Sequence, residues 1–369
     1  MAAIAVSAAA LALAACSAPA SLPSGASAAA ASPSAAATVP SVPAPAAQTV
    51  SETGSSIMAP LFARWRTAYH ARFPQVTLKT ASSSSGVGIS SAAAGTADIG
   101  ASDAYLSSAT LAKYTDLVNI PLAVAALMVI YNVPGIGPAE HLRLNGKVLT
   151  QMFAGKITRW DDPAIAAINP GVKLPGTAVV LVHRADSSGS TFLFTSYLNA
   201  QDPSGWSNSL IGTTIAWPSQ PGEIGATGSE GIVDRVGSAP GAVSYVGVSY
   251  LSQVTSMNEG EAALGNSSGS YVRPIAGTIQ AALASFTNTP ASETISLVNG
   301  AGSQAYPIVN YEYAVVRTSQ ASAIRAQDLR AFLTWAITSG TAQLAQVNFQ
   351  PLPPSIVTLS TAQIAKIKG

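Results

Sequence analysis

Three times in this chain a strand-like stretch runs through a Ser- and Gly-rich turn straight into a helix-like segment, and that repetition limits the available folds more than any other feature. The turns are Thr53-Gly54-Ser55-Ser56-Ile57, Ser84-Ser85-Gly86-Val87-Gly88 and Arg184-Ala185-Asp186-Ser187-Ser188-Gly189-Ser190. The third follows the apolar run 178–182 and precedes Phe192-Leu193-Phe194. Strand and helix alternating in this way build an α/β protein with largely parallel sheets. A helix that starts among small hydroxyl residues also presents unpaired N–H groups and a positive dipole end, which suits an anion. A single such turn ordinarily does no more than cap its own helix. Three of them, each at the carboxyl end of an expected strand where α/β folds place ligands, point to an oxyanion site assembled from separate segments.

The rest of the pattern supports two lobes. Residues 57–73 place Leu61, Trp65 and Tyr69 four apart with Phe62 beside them, an amphipathic helix stopped by Pro74. Residues 75–80 alternate as a strand does, and 98–103 read as a short strand running into a loop. The apolar run 118–131 is too long for one ordinary strand and is interrupted by Pro121. It and residues 306–316 are the expected crossovers between domains. Residues 326–339, with Leu329, Phe332, Leu333 and Trp335, form a further amphipathic helix. No fixed repeat is visible, which argues against a solenoid or propeller.

The first 48 residues stand apart. Residues 1–15 are almost wholly small or apolar and end Leu13-Ala14-Ala15-Cys16, which is similar to the lipobox of bacterial lipoproteins. No Lys or Arg precedes the apolar run, a departure from the usual signal; the competing reading makes Cys16 a buried structural thiol. Residues 17–48 are nearly all Ala, Ser and Pro and cannot assemble a core, so they read as a disordered tether. Cys16 is the chain's one cysteine, which excludes an internal disulfide and a cysteine metal cage. A net charge of +1 argues against a nucleic-acid surface. After the leader no apolar run reaches the roughly 18 residues needed to cross a bilayer.

Within the third turn, Arg184 and Asp186 lie two apart, so on an extended segment both point to one face and Asp186 can hold the guanidinium for a bidentate contact to a tetrahedral oxyanion. Asp103 selects among anions. A carboxylate repels an anion unless the ligand brings a proton, and phosphate near neutral pH carries at least one whereas sulfate carries none. The competing reading of Asp103 is a cap on a helix starting near residues 104–106. Catalysis finds little support. His183, Asp186 and Ser188 are the residue types of a triad but crowd one short turn without a Gly-x-Ser-x-Gly elbow. His70 and His141 stand at no metal-ligand spacing, and neither a phosphate loop with Gly-Lys-Ser/Thr nor a Gly-x-Gly-x-x-Gly fingerprint occurs.

Taken in order, Thr53-Gly54-Ser55-Ser56 with Ala59-Pro60-Leu61-Phe62, Ser85-Gly86-Val87-Gly88, Asp98-Ile99-Gly100-Ala101-Ser102-Asp103-Ala104, Gly155-Lys156-Ile157-Thr158-Arg159-Trp160-Asp161-Asp162-Pro163 and His183-Arg184-Ala185-Asp186-Ser187-Ser188-Gly189-Ser190-Thr191-Phe192 resemble the phosphate-binding proteins of bacterial high-affinity phosphate ABC transporters, the PstS family. The resemblance runs over residues 53–354. It implies a two-domain type II periplasmic-binding fold that closes on one phosphate, with no cofactor and no metal. By motif the phosphate ligands fall on Ser56, Ile57, Ser85 and Asp103 in the first lobe and on Arg184, Ser188, Gly189 and Ser190 in the second, with Asp186 orienting Arg184. Ser187 stands where the family usually has Gly, and the run of serines before Gly86 leaves Ser84 and Ser85 as alternatives one residue apart. The expected organisation is a lipoprotein signal at 1–16, a tether at 17–48, one lobe from 49–124 and 310–369, and the other from 125–309. The implied partners are inorganic phosphate, permease subunits and the membrane through a lipid on Cys16, for a monomer held outside the cytoplasm. Binding of another oxyanion such as sulfate or molybdate, and a secreted phosphatase or hydrolase using Ser188, are the alternatives.

Overall fold

The structure is a computed structural model and describes residues 41–369. The leader with Cys16 and most of the expected tether lie outside the described residues. In chain order come β1 (Thr49–Gly54), α1 (Ala59–Arg72), β2 (Thr77–Ser82), α2 (Ser85–Ala94), β3 (Ile99–Ser102), α3 (Ser108–Lys113) and β4 (Leu117–Asn132). Next are β5 (Arg143–Leu144), α4 (Gly146–Phe153), α5 (Pro163–Ile168), β6 (Val180–Arg184), α6 (Gly189–Gln201), β7 (Ile224–Ala226), α7 (Gly228–Ser238), β8 (Ala242–Gly247) and α8 (Leu251–Ser256). The chain ends with β9 (Gly260–Glu261), β10 (Ala263–Gly265), β11 (Tyr271–Val272), α9 (Ala276–Leu283), β12 (Val309–Arg317), α10 (Ala323–Ile337) and α11 (Pro354–Ile364).

The main sheet runs β2-β1-β3-β12-β4-β8-β6-β7, with β9 added to β4. Its two ends are parallel, as the alternation of strand and helix requires: β1 pairs with β2 and β3, and β6 with β7 and β8. The middle is antiparallel, a departure from the largely parallel sheet read from sequence. The cause is the long apolar run. β4 pairs along residues 117–126 with β12 and along 127–132 with β8, so a single strand passes from one parallel block into the other. A chain that leaves one block and returns must run both ways along the seam, outward in β4 and back in β12. From Asn119 to Tyr131 β4 is buried on both faces, which explains its near-continuous apolar sequence. The β12–β4 register shifts between Glu312 and Tyr313, where Tyr313 faces Pro121, so the missing proline N–H falls at a bulge.

One continuous hydrophobic core runs through both blocks, with an aromatic group beside each. Leu61, Phe62, Trp65 and Tyr69 of α1 are all buried. They meet α10, with Tyr69 edge-on to Phe332 at 5.1 Å and Trp65 edge-on to it at 6.1 Å. Trp65 Nε1 donates to the Gly340 carbonyl at 2.9 Å, which satisfies the indole where it is buried. Beside the second block Phe194 stacks on Tyr245 at 4.5 Å and meets Phe153 at 4.8 Å.

Candidate functional site

All three Ser/Gly turns end at the same place. In the first, β1 closes against the end of β3 so tightly that a Cβ on Gly54 would sit 2.1 Å from the Ala101 carbonyl oxygen, and Gly54 has φ +144°. α1 begins at Ala59, later than the sequence pattern suggests, because Pro60 occupies its first turn, and no side chain caps it. The hydroxyls before it serve other partners. Ser55 Oγ donates to Asp103 Oδ1. Ser56 Oγ accepts from Ser229 N at 3.0 Å and from Arg184 Nη1 at 3.3 Å. Ile57 is buried, and its carbonyl accepts from Ser249 Oγ at 2.8 Å.

In the second turn the two adjacent serines divide the work. Ser84 is the N-cap of α2 and accepts from Val87 N at 3.4 Å. Ser85 Oγ instead accepts from Asp103 N at 3.2 Å. In the third turn Ser188 caps α6, accepting from Ser190 N at 3.1 Å and Thr191 N at 3.4 Å. Ser190 Oγ reaches Asp103 Oδ2 at 3.2 Å. Gly189 packs so closely that a Cβ there would lie 2.7 Å from both Asp103 Cβ and Ser85 Oγ, and 2.8 Å from Ala104 N.

Arg184 is 4% exposed at the end of β6. Asp186 grips its fork side-on, Nε to Oδ1 at 2.6 Å and Nη2 to Oδ2 at 2.5 Å, and leaves Nη1 pointing across the cluster to Ser56. Asp103 is 2% exposed and caps no helix, since α3 starts at Ser108 under Ser107. Burial pushes its carboxyl above the usual range, against the lowering pull of Ser55, Glu312, Arg184 and Ser190. Tyr245, whose hydroxyl meets Thr191 Oγ1 at 2.8 Å and accepts from Arg184 N at 3.3 Å, is raised to about 12 by burial.

The residues singled out in sequence are thus gathered into one buried polar cluster in which Ser55 and Ser190 donate to the Asp103 carboxylate. Sequence reasoning missed Ser55, Ser229 and Glu312. Ser229 had a signal of the kind already used, since Thr227-Gly228-Ser229 after β7 is a fourth strand–Gly/Ser–helix turn, with φ +70° at Gly228. Glu312 had only its oddity as a lone acid in an apolar crossover. The catalytic alternative is not assembled: His183 stacks on Trp217 at 5.2 Å with Nδ1 near the Arg184 carbonyl, while Asp186 is engaged by Arg184. Among the described residues no group of three or more His, Cys, Asp and Glu is placed to hold a metal ion.

A two-block α/β fold with a buried polar cluster drawn from both blocks has the architecture of the periplasmic-binding class of solute-binding proteins. The family model described as PBP superfamily domain matches residues 39–339. The phosphate-binding protein PstS of Xylella fastidiosa strain 9a5c is 32% identical over 310 residues, covering 84% of this chain and 82% of that one. PstS of Methanocaldococcus jannaschii is 31% identical over 318 residues, covering 80% of each. Among solved structures, a phosphate-binding protein from Stenotrophomonas maltophilia superposes with a TM-score of 0.67 at 20% identity, over 85% of this chain and 93% of that one. The chain belongs to the PstS family of phosphate-binding proteins.

Proposed function

We propose that the cluster captures one inorganic phosphate between the two lobes and that the protein delivers it to an ABC-transporter permease. The observation that carries the reading is Asp103, a buried carboxylate that receives hydrogen bonds from Ser55 and Ser190 and lies among guanidinium and helix N-terminal donors. Such a set favours an oxyanion that brings its own proton, which is phosphate and not sulfate or molybdate. Ser56, the Ile57 N–H, Ser85 and Asp103 act from a lobe of residues 49–124 and 310–369. Arg184, Ser188, the Gly189 N–H and Ser190 act from the lobe of 125–309, and Asp186 holds Arg184 for two parallel contacts. The chemistry is binding alone, with no cofactor and no bond broken. The protein works as a monomer outside the cytoplasm, tethered to the membrane by a lipid on Cys16. Isothermal titration of the purified chain with phosphate, sulfate and molybdate tests the reading, and assay with a chromogenic phosphate ester tests the hydrolase alternative. Tight one-to-one binding of phosphate alone is expected; no heat with phosphate at neutral pH, or turnover of the ester, overturns it.

A further inference from the structure

The antiparallel register of β12 on β3, Ala314 facing Ala101 and Tyr313 facing Ser102, carries Glu312 opposite Asp103. The bulge against β4 falls at this residue. Glu312 is 1% exposed, its carboxyl lies in hydrogen-bond contact with that of Asp103, and Oε2 has no partner. We propose that Glu312 is a positioning residue for phosphate selection: as the neutral acid it donates its proton to Asp103 and so holds Asp103 as an anionic acceptor for the ligand's P–OH. The proposal rests on the phosphate reading above.

Two touching carboxyls out of reach of water cannot both ionise, so near neutral pH the pair holds one proton. The surroundings decide its place. Asp103 receives hydrogen bonds from Ser55 and Ser190 and feels Arg184, all of which favour its anion. Glu312 has Asp103 and little else, and burial together with the neighbouring charge drives its carboxyl well above the ordinary range. The other ionisable groups facing the pair are Asp186, which is held by Arg184, and the phenols Tyr250 and Tyr313. α2, α6, α9 and β4, packed around it, contain no Asp, Glu, Lys, Arg or His. Asn310 Nδ2 donates to the Asp103 backbone carbonyl and fixes the segment from the same strand.

A neutral Glu312 does two things for an incoming anion. It keeps the cleft one negative charge lower than the pair would otherwise make it, and it occupies an acceptor site on Asp103 with a donor. Without that donor Asp103 protonates more easily, turns from acceptor into O–H donor, and ceases to reject a fully deprotonated oxyanion.

The test compares wild type, Glu312→Gln and Glu312→Leu for phosphate and sulfate affinity by titration calorimetry between about pH 5 and about pH 9. The amide of Glu312→Gln is a permanent neutral donor, so its phosphate affinity near neutral pH stays within about threefold of wild type and its acid limb is unmoved. Glu312→Leu loses the donor, so its acid limb moves up by roughly one to two pH units and its preference for phosphate over sulfate near neutral pH falls by about tenfold or more. An acid limb and sulfate discrimination in Glu312→Leu equal to wild type overturn the proposal. If that variant fails to fold, Glu312→Gln decides alone: a loss of more than about tenfold shows that an ionised Glu312 was needed, and the proposal falls. Absence of phosphate binding by wild type is a separate outcome that overturns the functional reading itself.

Discussion

If phosphate is captured between two lobes as proposed, Gly189→Ala is the substitution that best separates closure of the cleft from folding of the lobes. Gly189 is the first residue of α6, and it is not among the glycines with positive φ, so alanine meets no backbone strain there and is the better helix former. The three atoms nearest to the added methyl all belong to the facing residues Ser85, Asp103 and Ala104. Across the cleft it would meet Asp103 Cβ and Ser85 Oγ at 2.7 Å and Ala104 N at 2.8 Å. Carbon contacts are comfortable near 3.5–4.0 Å, so the opposing wall must retreat by about 1 Å. Two of the three contacted atoms belong to Asp103 and the Ala104 backbone, which β3 and the Asn310 bond hold in place, so the strain falls on closure instead of on a rotamer. The same movement lengthens the Ser190–Asp103 bond, now 3.2 Å. Overpacking of this kind costs about 1–3 kcal/mol, and it is charged only to the closed, ligand-holding form, so phosphate affinity should drop by roughly 5- to 150-fold. Calorimetric titration measures the loss, small-angle scattering with saturating phosphate reports closure, and thermal unfolding without phosphate should stay within a degree or two, roughly the precision of such a comparison. A variant that binds phosphate within threefold of wild type and closes fully would refute the argument that α6 and the β3 loop meet as tightly as described.

Arg184→Ala removes the only guanidinium in the cluster and strands Asp186, so phosphate affinity should fall by about a hundredfold, at least about 3 kcal/mol; titration showing a loss below threefold would place Arg184 outside the site. Asp103→Asn replaces the anionic acceptor by a group that also donates, so competition titration should show sulfate gaining at least about tenfold on phosphate. Glu52, buried in β1, is pushed up to about 8 by burial. Because the folded state binds more protons than the unfolded one between about pH 4.5 and about pH 8, stability falls as pH rises through that window. Glu52→Gln should remove on the order of 2 kcal/mol of that decline, read from denaturant midpoints across the window.

The parts of this site that local chemistry dictates were legible in the sequence. A turn that ends a strand and starts a helix announces itself through Ser and Gly, so residues 53–57, 84–88 and 184–190 stood out before any contact was known. The spacing of Arg184 and Asp186 encoded their pairing because an extended segment puts alternate residues on one face. What was not legible depends on register between segments distant in sequence. Nothing around Glu312 shows that β12 will lie against β3 with Glu312 opposite Asp103. The antiparallel seam was hidden too, since an apolar run buried on both faces reads alike in parallel and antiparallel sheets. Ser229 was overlooked for a different reason: its turn follows β7, a strand of three residues, too short to show a pattern.

Charge arithmetic explains why the cluster is built as it is. With Glu312 protonated as proposed, Arg184 is offset by Asp186 and Asp103 adds a negative charge, so the cluster carries about one net negative charge. Attraction of a phosphate therefore cannot come from a surplus of cations, in keeping with a chain of only 9% charged residues and a net charge of +1. On the proposed reading it comes from neutral dipoles: the N–H groups at the starts of α2 and α6 and the hydroxyls of Ser56, Ser85, Ser188 and Ser190. Those act over a single contact distance, so the proposed capture between two lobes would make closure part of binding. The same balance sets selectivity. A site that attracted by net positive charge would accept sulfate as readily as phosphate, whereas one that begins negative admits only the oxyanion whose own proton turns the repulsion of Asp103 into a hydrogen bond.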